Sequence, residues 1–169
     1  MRRSETPIEP VRKERRLALG PDEAFALFTA GMGTWWPLAT HSIGSDDATG
    51  VRFEEGVGGR VMEIATDGRE HAWADVLTWD PPYRVVLSWH PTPEPVAAST
   101  LDVRFETAAE GCLLRLEHRD WEEFGGQLGA ELRAGYDSGW DLVLRPFETR
   151  ARTHRRQSRT TVRETLREP

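Results

Sequence analysis

Apolar and polar residues alternate most regularly between Ser99 and Glu106, where Leu101, Val103 and Phe105 are interleaved with Thr100, Asp102, Arg104 and Glu106. A period of two with one apolar face predicts a β-strand that is buried on one side and solvated on the other. The pattern recurs from 112 to 119, where Cys112, Leu114 and Leu116 share a face with His118, and again in Val85, Leu87 and Trp89 within a run from 83 to 90. Four further runs read as strands: 11–19, 51–55, 60–65 and 70–79, which brings the total to seven. Pro81 and Pro82 separate two of them, because neither can donate to a strand ladder. Only the run 70–79 lacks clean parity, since Trp73 and Trp79 have apolar neighbours on both faces.

Two segments carry a helical period instead. Gly20-Pro21-Asp22-Glu23 supplies a turn, a proline suited to the first helical position and two acids for the positive end of the helix dipole. Ala24, Phe25, Leu27 and Phe28 follow as the apolar stripe, Gly31 and Gly33 break it, and 38–49 reads as a polar loop. From about Gln127 to Phe147, the residues Leu128, Leu132, Tyr136, Trp140, Val143, Leu144 and Phe147 form a stripe opposite Glu131, Asp137, Asp141 and Arg145. Gly135 and Gly139 should let this helix approach a partner surface closely, at roughly 1 kcal/mol each in helix stability. Pro146 should kink or end it. A one-sided antiparallel sheet covered by a long amphipathic helix is an α+β design.

Composition bounds the reading without changing it. A chain of 169 residues, 38% hydrophobic, suits one domain with its own core. No stretch approaches the roughly 18 apolar residues of a membrane span, and the charged N-terminus has no apolar run behind it, so a cytoplasmic protein without a signal peptide is expected. The lone cysteine, Cys112, reads as a small buried hydrophobe. The net charge of −6 is uneven: residues 148–169 hold seven arginines against three glutamates, a balance of +4 that leaves −10 on the rest. Such a segment has too little apolar surface to offset its ordering entropy, and is expected to be disordered or a frayed helical extension. Without interleaved aromatics it does not make a nucleic-acid site.

Local sequence words then narrow the fold. The stretches "FEEGVGGRV" (53–61), "ADVLTWDPPYRVVLSW" (74–89), "STLDVRFE" (99–106) and "SGWDLVL" (138–144), in this order, resemble the START-like helix-grip superfamily, in the branch named for homology to the activator of the heat shock protein 90 ATPase. The resemblance covers about residues 10–147, leaving 1–9 as a flexible N-terminus and 148–169 as the arginine-rich tail. It implies a curved seven-stranded antiparallel sheet gripping a long C-terminal helix, with two short helices after the first strand. It also implies a cavity between sheet and helix for a hydrophobic or amphipathic small molecule. No single chemistry follows, because lipid carriers, polyketide cyclases, hormone receptors and co-chaperone domains share the fold.

The residues themselves favour binding over catalysis. No nucleophile motif is present, the five histidines show no metal-binding spacing, and the glycines at 56, 58 and 59 suit a β-turn rather than a phosphate loop. No catalytic residue, metal or cofactor is assigned. Seven tryptophans are the unusual feature, since an indole has a large apolar face and one N–H that needs a partner, which suits the walls of a pocket. The cavity candidates are Trp36, Phe53, Met62, Trp89, Leu101, Leu116, His118, Tyr136 and Trp140. His118 is either a proton-handling group on the helix-facing side or a structural strand-end histidine, and one of Arg60 and Glu63 should look inward. Three functions remain open: a small-molecule-binding module, a cyclase- or hydrolase-like enzyme using the same cavity, and a co-chaperone-like or regulatory domain with a protein partner or a second copy.

Overall fold

The computed structural model describes residues 6–92 and 97–167. Strand β1 (Val11–Leu17) leads into helix α1 (Pro21–Phe28), then 3-10 turns at Met32–Thr34 and Ser45–Asp47. The remaining strands follow as β2 (Ala48–Phe53), β3 (Arg60–Ala65), β4 (Glu70–Asp80), β5 (Arg84–Trp89), β6 (Ser99–Ala108) and β7 (Gly111–Arg119). A 3-10 turn at Trp121–Phe124 then precedes α2 (Gly126–Thr165). All pairings are antiparallel, in the order β1-β7-β6-β5-β4-β3-β2. The α+β helix-grip architecture expected from the sequence is therefore present: a curved seven-stranded sheet, short helices after the first strand, and a long C-terminal helix.

The parity predictions hold where pairing is regular. Leu101, Val103 and Phe105 on β6 and Cys112, Leu114, Leu116 and His118 on β7 are all buried on the face that receives α2. Strand β4 has no clean parity because it carries two bulges. Val61 pairs with Ala74 and Met62 with Ala72, so Trp73 is the extra residue against β3; Val76 pairs with Leu87 and Thr78 with Val86, so Leu77 is the extra residue against β5. Each bulge shifts the phase, and Trp73, Ala74, Val76 and Trp79 all reach the core while Leu77 faces solvent.

Helix α2 lies across the concave face with Trp140, Val143, Leu144, Phe147 and Ala151 buried. It is tied to the edge strand by charge: Lys13 Nζ lies 2.9 Å from both Asp137 and Asp141, and Arg15 bridges Asp141 and Glu148. Near its start, a Cβ on Gly129 would stand 2.1 Å from the Trp121 carbonyl oxygen, so only glycine lets the helix begin beneath that turn. The helix runs past Pro146, where the sequence pattern predicts a kink or an end, and continues to Thr165. Proline removes the single backbone bond to the Leu142 carbonyl, and Leu142 is on the exposed side, where water can replace that bond. Of the N-terminal segment 1–9, residues 1–5 lie outside the described residues; Ile8 packs against the core, and the carbonyls of Glu9 and Pro10 accept hydrogen bonds from Arg133. No helix among the described residues is long and apolar enough to cross a membrane.

Candidate functional site

Between the Trp36–Ser42 segment, the β4–β5 end of the sheet and the first half of α2 lies a cleft of about 370 Å³. Its walls are Trp36, Trp73, Trp89, Tyr136 and Trp140, completed by Pro91, Leu132 and Val143, and its rim carries Thr40, His41, Ser42 and Glu131. The four indoles form one cluster, with ring centroids 5.0 Å apart for Trp36 and Trp73, 5.9 Å for Trp36 and Trp89, and 5.9 Å for Trp89 and Trp140. Gly135 and Gly139 also line it, and a Cβ on either would meet nothing within 4 Å. These glycines open space along the helix; they do not seat it on a neighbour, as the sequence pattern suggested.

Each indole N–H in the wall is already engaged. Trp36 donates to the His41 carbonyl at 2.7 Å, Trp73 to Glu63 Oε1 at 3.1 Å, Trp89 to the Tyr136 hydroxyl oxygen at 3.1 Å, and Trp140 to His118 Nδ1 at 3.0 Å. The rings thus turn apolar faces toward the cleft while their polar edges fasten the wall. Of the two residues one of which should look inward, Glu63 does so and is buried, and Arg60 is on the surface. Its carboxylate accepts from Ile43 N–H (2.7 Å) and Gly44 N–H (2.9 Å) as well as Trp73, which pins the rim segment to the sheet.

His118 sits behind the wall. An indole can only donate, so its bond to Nδ1 leaves the proton on Nε2, which donates to Ser99 Oγ at 2.6 Å. The imidazole is fully buried against the rings of Trp121 and Tyr136, and burial pushes its pKa down to about 3. It is a neutral fastener for Trp140 and Ser99, with both nitrogens engaged. Burial likewise pushes the Cys112 thiol up to about 11, which leaves it an unreactive thiol.

Four of the nine cavity candidates, Trp36, Trp89, Tyr136 and Trp140, line the cleft. Phe53, Leu101 and Leu116 belong to the packed core, Met62 is buried outside that cluster, and His118 lies one layer behind. Trp73 is the main residue that sequence reasoning set aside, because a bulge turns it inward. The two glycines spaced i, i+4 within an apolar stripe were the visible signal for the helix side of the cleft. Among the described residues, no three His, Cys, Asp or Glu side chains gather so as to hold a metal ion.

With this geometry in view, the comparisons with known proteins are specific about lineage. The family model described as Activator of Hsp90 ATPase homolog 1-like protein matches residues 19–151. The chain belongs to this family. Protein MLL2253 from Mesorhizobium loti is 19% identical, with a TM-score of 0.59 over 83% of this chain and 95% of that one. Protein SA2116 from Staphylococcus aureus is 12% identical, with a TM-score of 0.63 over 90% and 98%. The anthrahydroquino-gamma-pyrone synthase Txn09, solved in complex with SUM, is 28% identical, with a TM-score of 0.56 over 85% and 97%. No curated protein sequence matches the chain. Family and fold together support a small ligand-binding or regulatory domain.

Proposed function

We propose that this protein binds a hydrophobic or amphipathic small molecule in the cleft between the β4–β5 end of the sheet and α2. The observation that carries this reading is a cleft lined by four indoles whose N–H groups are all spent on the protein, so that what they present to it is apolar; Trp36 is half-buried and the other three are buried behind it. The volume of about 370 Å³ falls within the roughly 300–1,000 Å³ range of small-molecule sites. Titration calorimetry with aromatic and acyl compounds, on the parent protein and on Gly139→Leu, tests it. A leucine side chain at 139 would project into the open space, so binding to the parent and loss in the variant is the expected result. Equal binding by both proteins would place the ligand elsewhere, and no binding by the parent would remove the reading.

A second reading, an enzyme using the same cleft, is favoured by the similarity to the Txn09 synthase. His41 and Glu131 on the rim would then supply proton transfer, since both nitrogens of His118 are committed. Turnover lost in His41→Ala or Glu131→Gln with binding retained would separate catalysis from carriage. The co-chaperone-like alternative draws on the family name alone.

A further inference from the structure

We propose that the cleft selects a flat aromatic ligand bearing an uncharged hydrogen-bond-accepting oxygen, and that the Tyr136 hydroxyl is the donor that reads it. This rests on the small-molecule reading and adds the chemistry of the ligand. The hydrogen-bond donors around the cleft are nearly all engaged within the protein. All four indole N–H groups of the wall are engaged within the protein. On the rim, the Ser42 hydroxyl donates to the Leu38 carbonyl, the Thr40 hydroxyl lies 2.8 Å from His41 Nδ1 and 3.4 Å from the Pro37 carbonyl, and the second ring nitrogen of His41 stands at the mouth of the cleft rather than in its wall.

Tyr136 differs from all of these. Its oxygen accepts the Trp89 N–H at 3.1 Å, and because an indole cannot accept, the phenol proton must point away from Trp89. No described residue accepts that proton. His118, whose ring centroid lies 4.9 Å from that of Tyr136, is ruled out because its Nδ1 receives Trp140 and its Nε2 proton goes to Ser99. The phenol ring packs against both His118 and Trp121, with centroids 4.9 and 5.2 Å away, so its position is set before any ligand arrives. Burial raises the Tyr136 pKa above that of an ordinary phenol, and the group therefore keeps its proton at neutral pH.

The surroundings set the rest of the ligand's chemistry. Indole faces favour stacking with a flat ring system. Among the described residues the cleft is lined by no lysine or arginine, which disfavours a buried carboxylate, and a phenol proton at the site disfavours an ammonium beside it. A ring carbonyl or lactone oxygen meets every condition: it accepts one hydrogen bond and carries no charge.

Two soluble probes of the same ring outline provide the test: anthraquinone-2-sulfonate, with ring carbonyls, and anthracene-2-sulfonate, without them. By calorimetry the parent protein should prefer the quinone by about tenfold, the usual worth of one net hydrogen bond. Tyr136→Phe should keep the affinity for the hydrocarbon and bind the two within about twofold of each other. The chain has only two tyrosines, Tyr83 and Tyr136, so ring-carbon-labelled tyrosine gives two resonances in the unmodified protein. One of them should shift with the quinone and not with the hydrocarbon, whether or not the variant folds. A quinone preference that survives in Tyr136→Phe, equal affinity of the parent for both probes, or no selective tyrosine shift would overturn the proposal while leaving the cleft reading intact. Failure of the parent to bind either probe would overturn both.

Discussion

His118 shows how one buried residue ties stability to pH. Its neutral form is required twice, by the N–H of Trp140 and by the apolar rings around it, and its pKa falls to about 3 from an ordinary value near 6.5. The unfolded chain therefore binds a proton that the native state refuses, and stability drops as pH falls from about 6.5 toward 3. At pH 5 the loss relative to pH 7 should be about 2 kcal/mol from this group. Urea melts across pH 4–7 would show that slope, and His118→Gln, less stable at neutral pH, should show a flatter one; identical slopes would mean that His118 is not the titrating group. Glu63 fastens a different part of the wall. Changing it to Gln keeps the shape and lets the amide oxygen still accept from Ile43 and Trp73, but turns the NH₂ against the Gly44 N–H, at a cost of about 1–3 kcal/mol. Hydrogen exchange at the Ile43 and Gly44 amides should accelerate with it; unchanged protection there would mean that the rim is held by other contacts.

Among the elements, α2 trades helix stability for open space. Gly135 and Gly139 each forgo roughly 1 kcal/mol relative to alanine, and neither is required by backbone geometry or by a close neighbour. Gly135→Ala and Gly139→Ala should accordingly each raise stability by about 0.5–1 kcal/mol while narrowing the cleft and weakening any ligand held there. A stabilised variant that binds as well as the parent would show that these positions border no ligand. The same elements show what a sequence can and cannot reveal. Strands β6 and β7 were legible because burial on one face leaves a period of two, and α2 because its buried stripe has a helical period. Trp73 was not legible, because a bulge adds one residue to a strand and leaves no mark in composition. Trp89, Tyr136 and Trp140 could be placed on the inner face, but a pattern of faces does not tell which inward residues are packed and which border a gap. Leu116 and Trp140 have the same burial pattern, yet only Trp140 lines the cleft.

At the scale of the whole molecule, the C-terminal helix is two things in one rod. Up to Ala151 it is core: Phe147 packs on Phe28 and Trp35 at 5.5 and 4.9 Å, and Ala151 is the last buried residue. Beyond it no described residue is buried, and His154 Nε2 lies 3.9 Å from Glu23 Oε2 on the surface of the body. Arg152, Arg156, Arg159 and Arg163 recur at helical spacing along one side, with no carboxylate within 4 Å of them among the described residues. The tail thus concentrates positive charge at one end of a chain whose remainder is strongly acidic, and it contributes little buried apolar surface. Deleting residues 152–169 should therefore move the melting temperature by less than about 2 °C, because less than 1 kcal/mol of packing is lost. Deleting from 147 onward removes the Phe147 ring from the core, a loss of about 3–5 kcal/mol, and should unfold much of the protein. If the shorter deletion instead lowers the melting temperature by several degrees, the tail docks on something. A concentration-dependent melt of the full chain, weakened by salt, would then identify that partner as the acidic body of a second copy.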